Sequence, residues 1–129
     1  MARTTFGGNK MSYEYQDQVL GMVIADPRRY WPEVKNQWEP EAFTEISRIK
    51  IASAIKKLND DGQEINLTSV IAAVGGESYL YMSQIICNYT REANINYFMS
   101  QLLGWHRLKT TVINLNELCH RIISAKHSD

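Results

Sequence analysis

Apolar positions recur at three- and four-residue steps along most of the chain, the spacing that gives one face of an α-helix. Tyr15, Val19, Met22 and Val23 mark a first helix, with Ser12 as its expected N-cap. Pro27 ends it, because the residue before proline avoids the helical region. Tyr30, Trp31, Val34 and Trp38 predict a short aromatic helix packed on the first. Glu39-Pro40-Glu41 opens another, with Phe43, Ile46, Ile49, Ile51, Ala54, Ile55 and Leu58 on its apolar face and Asp60-Asp61-Gly62 as its stop. Leu67 to Val74 reads as a short helix closed by Gly75-Gly76, and Glu77 to Ile86 as the next, carrying Tyr79, Leu80, Met82, Ile85 and Ile86.

The last segment differs in length. From about Ala93 to about Ile123 there is no proline, and Gly104 is the one glycine. Roughly 30 residues at 1.5 Å each make a helix about 45 Å long. A compact domain of this size is roughly 36 Å across, so an unbroken helix overhangs it. Trp105, Leu108, Val112, Leu115, Cys119 and Ile122 are the candidate contact residues there, and Ile113, Leu118 and Ile123 widen their stripe. Such a stripe calls for a partner helix; the alternative is a bend at Gly104 that folds the helix back on its own bundle. No alternating strand pattern competes, and the fold class expected is all-α. The expected organisation is a flexible arm over 1–11, a globular helical bundle over 12–92 and a long interaction helix over 93–129.

Gly21, in the middle of the apolar run DQVLGMVIADP, costs a helix about 1 kcal/mol relative to alanine. Close packing against the aromatic segment Tyr30–Trp38, or against the helix after Phe43, is the expected reason. Pro27, Phe43, Gly75 and Gly76 are the other positions assigned a packing role.

Charge and chemistry change this picture little. The 129 residues hold 14 basic and 14 acidic side chains, so no net field attracts nucleic acid or an anionic membrane. Cys87 and Cys119 lie far apart among apolar neighbours and are expected as buried free thiols. No run reaches the roughly 18 apolar residues that a bilayer span needs, and no secretory signal precedes the two sequons at Asn66 and Asn88; the chain reads as cytosolic. Val74-Gly75-Gly76-Glu77-Ser78 lacks the lysine of a P-loop and reads as a helix–turn–helix junction. His106 and His120 stand about 21 Å apart on a straight helix, which rules out a shared metal. Neither a catalytic residue nor a metal or cofactor is expected. Arg28-Arg29, Arg48 with Lys50, and Lys56-Lys57 bind single-stranded nucleic acid only if they converge with exposed aromatics such as Tyr30 or Trp31.

The order of these features resembles one family. Val19-Leu20-Gly21 runs into Asp26-Pro27, and Phe43 precedes Ile51-Ala52-Ser53-Ala54-Ile55 by eight residues. A Gly62 turn enters Ile65-Asn66, Gly75-Gly76 precedes Tyr79-Leu80, and Ala93-Asn94-Ile95 opens the long helix. Together they resemble the N-terminal domain of DnaB-type bacterial and phage replicative helicases, over roughly Ser12 to Ile123. Gln16, Arg48 and Asn66 depart from the residues usual there. The resemblance implies a non-catalytic collar domain: a helical bundle followed by a hairpin that pairs between subunits. It also implies docking of the C-terminal domain of a DnaG-type primase or of a helicase loader, with DNA met only indirectly. Asp129 falls after the first hairpin helix. Two other readings are a standalone phage-type regulator that captures a host helicase, primase or loader, and a weak single-stranded nucleic-acid-binding module.

Overall fold

The computed structural model describes residues 10–90 and 93–126, with side chains from Tyr13 onward. The expected arm lies almost wholly outside the described residues, and the first helix, α1, already runs from Lys10 to Ala25. Ser12 is therefore inside α1 and not its cap. Five more α-helices follow: α2 over Pro27–Val34, α3 over Ile46–Asp60, α4 over Leu67–Val74, α5 over Tyr79–Asn88 and α6 over Ile95–Lys126. Single 3₁₀ turns at Lys35–Gln37, Pro40–Ala42 and Gly76–Ser78 join them. Among the described residues no strand forms, and the fold is all-α.

The central element is α1. It packs against α6, α5, α2 and α3, so a continuous run, Val19, Leu20, Met22 and Val23, is fully buried rather than a single stripe. Pro27 ends α1 and also occupies the first turn of α2, where its missing N–H leaves nothing unpaired. The aromatic segment packs on α1 as expected: Tyr30, Trp31, Val34 and Trp38 are all buried. Buried indole N–H groups need acceptors. Trp31 donates to Asn59 Oδ1 (3.0 Å) and Trp38 to the Ala52 carbonyl (2.9 Å), both on α3.

The helix expected from Glu39 onward is broken. Only Pro40–Ala42 turns, and Glu45 then takes φ +66° before α3 starts at Ile46. Phe43 sits in this connection, fully buried against Trp38 at 5.2 Å between ring centroids. Gln16, fully buried in α1, fastens the same connection. Its Oε1 accepts the Thr44 N–H at 2.8 Å and its amide donates to Thr44 Oγ1 at 3.0 Å. The apolar face of α3 is narrower than its sequence pattern. Ile51, Ala54, Ile55 and Leu58 are buried, whereas Ile46 is 72% exposed and Ile49 is also exposed.

Gly62 and Gly75 act as stops as expected, whereas Gly76 is exposed, a Cβ there would meet nothing within 4 Å, and the packing role expected of it does not hold. Gly62 has φ +72° and donates to the Asn59 carbonyl at the end of α3; Gly75 has φ +108° and closes α4. Asn66 opens α4 with a reciprocal capping box: its Oδ1 accepts the Ser69 N–H, and Ser69 Oγ accepts the Asn66 N–H.

Gly21 packs against a different partner from the one expected. A Cβ built there falls well inside contact with the carbonyl oxygen of Ile85, 3.1 Å from its carbon and 3.2 Å from Tyr89 Cβ. The crossing helix is α5, not the aromatic segment or α3. Cys87 and Cys119 are free thiols as expected, but both are exposed.

Candidate interaction surfaces

Burial on α6 stops abruptly. Ile95, Met99, Leu102 and Leu103 enter the core, and no described residue beyond Leu103 is fully buried. The helix continues without a break through Gly104 and spans 32 residues, about 48 Å. The alternative of a bend that returns it to the bundle does not hold. Trp105, His106, Lys109 and Val112 are half-buried at its root. His106 Nε2 stands 3.9 Å from Glu39 Oε2 of the bundle. Leu108 between them, and Ile113, Leu115, Leu118, Ile122 and Ile123 beyond them, are each about half exposed. Leu108, Leu115, Leu118, Ile122 and Ile123 fall within about 80° of one line along the helix and form a larger patch than scattered surface residues need, whereas Ile113 lies about 140° from that line and does not widen the stripe as expected. Of the residues expected at a contact, Leu108, Val112, Leu115, Cys119 and Ile122 thus share the overhang, and Trp105 lies where it leaves the bundle.

The two aromatics named as stacking partners for the basic residues of the first half are not open. Tyr30 and Trp31 are buried, Arg29 lies 5.0 Å over the ring of its neighbour Tyr30, and Arg48 is only 8% exposed. Base stacking on Tyr30 or Trp31 is therefore closed off.

Arg48 instead organises a polar joint between three helices. Its Nε and Nη2 donate to the two oxygens of Asp17 on α1, at 2.8 and 3.1 Å, the bidentate fork that a guanidinium favours. Its Nη1 reaches Glu45, and Tyr81 of α5 donates its hydroxyl to Asp17 Oδ1. The Tyr13 ring lies 4.5 Å beneath the guanidinium carbon. Burial works against the Arg48 charge, but the Asp17 hydrogen bond and the surrounding negative groups outweigh it and hold its pKa above the ordinary value. Burial, and then the hydrogen bond to Asp17, push the Tyr81 phenol upward too. Sequence reasoning missed this joint, because its members come from separate helices and no spacing relates them. A small cleft of about 190 Å³ opens beside it, lined by Asp17, Tyr81, Gln84 and Asn88 together with Ile85 and Tyr89. Among the described residues no group of three or more His, Cys, Asp or Glu side chains is placed to hold a metal. No described helix is long and apolar enough to cross a membrane.

The family model for the DnaB-like helicase N-terminal domain matches residues 9–103. The chain belongs to that family. The match covers the bundle from α1 to the last buried residue of α6, so this helicase N-terminal domain is the packed part of the structure. The overhang beyond Leu103 lies outside it. No curated protein matches the chain at significant similarity.

Proposed function

We propose that this helicase N-terminal domain acts as a non-catalytic collar element in a cytoplasmic DNA replication machine. In this reading α6 associates with a second copy, and the domain docks the C-terminal domain of a DnaG-type primase or a helicase loader. DNA is met only through those partners. The observation that carries the reading is the apolar stripe on the α6 overhang, along Leu108, Val112, Leu115, Cys119 and Ile122: all but the half-buried Val112 are left exposed by the described residues of the chain. Each half-exposed leucine or isoleucine there still has about 1 kcal/mol of transfer free energy to gain on burial. Family membership supports the replicative setting. No described residue group suggests a reaction to compete with a scaffolding role.

The test is sedimentation equilibrium of the wild type beside Leu108→Asp and Leu115→Asp, with a pull-down by a primase C-terminal domain. Dimers or larger oligomers that dissociate in both variants, at unchanged far-UV circular dichroism, are expected, because both side chains are exposed in the single chain. A wild type that stays monomeric at high micromolar concentration would sink the pairing role. Absence of primase and loader in the pull-down would sink the docking role separately.

A further inference from the structure

A second apolar surface lies on the bundle itself, away from α6. Six of the eight residues of α4, Leu67-Thr68-Ser69-Val70-Ile71-Ala72-Ala73-Val74, are apolar and none is charged, yet only Val70 is buried. A helix apolar on nearly every side is expected to be enclosed. Here Ala72 and Ala73 face outward. Beside them runs a trough between α3 and α4, in two joined stretches of about 550 and 330 Å³ that share Ala54, Lys57 and Ala73. Ile49 and Val74 border the larger stretch, and Ile46, just before it on α3, is the most exposed large apolar residue described. These are the α3 positions whose sequence periodicity predicted burial that the bundle does not provide.

The charge of the trough selects among occupants. Its larger stretch is lined by Lys50 and Lys57 and by no carboxylate, and Asp61 is the one carboxylate that lines the smaller stretch. Lys57 has one weak, exposed partner, Asp61 at 3.3 Å, and among the described residues Lys50 has no carboxylate within ion-pair distance. A second copy's α6 overhang is a poor match, since Arg107, Lys109, Arg121 and Lys126 face Glu117 alone there. Lys50 and Lys57 stand seven residues apart on α3, two turns or about 10.5 Å. Small side chains along the trough, Ala54, Ala72 and Ala73, let a third helix approach closely.

We propose that the α3–α4 trough is a docking groove for an amphipathic helix of another protein, one that lays an apolar face on Ile49, Ala73 and Val74 and sets two carboxylates, seven residues apart, against Lys50 and Lys57. This is helix-in-groove recognition with charge setting the choice of partner. The groove is separate from the α6 stripe and does not depend on self-association.

The probe is a fluorescein-labelled, alanine-based helical peptide with a leucine stripe at three- and four-residue spacing and two glutamates seven residues apart beside it. Its comparison peptide has lysines in place of the glutamates. Fluorescence anisotropy against the full chain is expected to saturate with the glutamate peptide and to be at least about tenfold weaker with the lysine peptide. The double variant Lys50→Glu, Lys57→Glu should invert that order, and Ala73→Glu should abolish binding while leaving the far-UV spectrum unchanged. No saturable binding, equal affinity for both peptides, or an order unmoved by the lysine variants would overturn the proposal. Loss of the protein's own oligomers in Ala73→Glu would assign the trough to a second copy and overturn it as well. Binding of labelled oligothymidylate that disappears in the lysine double variant would assign it to nucleic acid, with the same result.

Discussion

Replacing Gly21 by alanine separates two effects that usually travel together. In a free helix the change is favourable by about 1 kcal/mol, because glycine loses more backbone entropy on folding. At this position the added methyl falls on the backbone carbonyl of Ile85 and lies 3.2 Å from Tyr89 Cβ. No rotamer change relieves a clash with main chain, so α1 and α5 must move apart along their whole contact. The upper part of the overpacking range applies, about 3 kcal/mol. Net of the propensity gain, Gly21→Ala should destabilise by about 2 kcal/mol. Gly104 is the internal control: it is helical too, and a Cβ there meets nothing within 4 Å. Gly104→Ala should therefore stabilise, by up to about 1 kcal/mol. Urea titrations followed by far-UV circular dichroism read both changes, with unaltered m-values as the check on two-state behaviour. A Gly21→Ala variant as stable as wild type, or shifted in the same direction as Gly104→Ala, refutes the close α1–α5 crossing.

Three further outcomes follow from the polar joint and the helix caps. Arg48→Met leaves Asp17 without its bidentate partner; because Asp17 is about a third exposed, the full cost of a broken buried pair is discounted to about 2 kcal/mol, read as a lower urea midpoint. The Tyr81 phenol has its folded pKa raised above the ordinary 10.0, first by burial and then by its hydrogen bond to Asp17. The unfolded chain therefore releases that proton first, so the stability tied to Tyr81 is whole below about pH 10 and is lost as pH rises beyond it. Thermal melts between pH 8 and 11 should fall more steeply for wild type than for Tyr81→Phe, and parallel curves would contradict this, taking those values as approximate bounds around the phenol's ordinary range. Asn66→Ala removes the Oδ1 acceptor of the Ser69 N–H and should cost about 1 kcal/mol, with hydrogen exchange accelerated in the first turn of α4.

The helices were legible wherever local chemistry sets them. Proline at 27, glycine at 62 and at 75, and the apolar steps of three and four place most boundaries within a few residues. The exception is the connection around Phe43. There the proline turn at Glu39–Glu41 ends at the extended backbone of Phe43, Glu45 then takes a positive φ, and no residue type announces that at a glutamate. The partner of Gly21 was not legible either. A glycine marks that something comes close without saying what, and α5 comes from the far half of the chain. The joint of Asp17, Arg48 and Tyr81 depends in the same way on topology that only the packed bundle supplies.

Apolar periodicity carries one ambiguity that explains both unpartnered surfaces. It reports that a helix face avoids water, and it is silent on whether the cover comes from the same chain. In α1 the cover is internal, and the pattern and the burial agree. In α6 the same three-and-four spacing continues past Leu103, where the bundle ends, and burial ceases while the pattern does not. In α3 the pattern includes Ile46 and Ile49, yet both stay exposed even though Val74 at the end of α4 lines the same trough as Ile49. Exposed residues that keep a core-like spacing therefore differ from scattered surface leucines: their spacing matches a neighbouring helix, and their exposure shows that no described element provides it. The two surfaces then part by charge. The α6 stripe is flanked by Asn114, Asn116 and isolated cations, which tolerate a second copy, whereas the α3 trough carries two lysines at helical spacing and asks for carboxylates. Leu115→Asp and Lys50→Glu should therefore act independently, the first on self-association and the second on peptide capture.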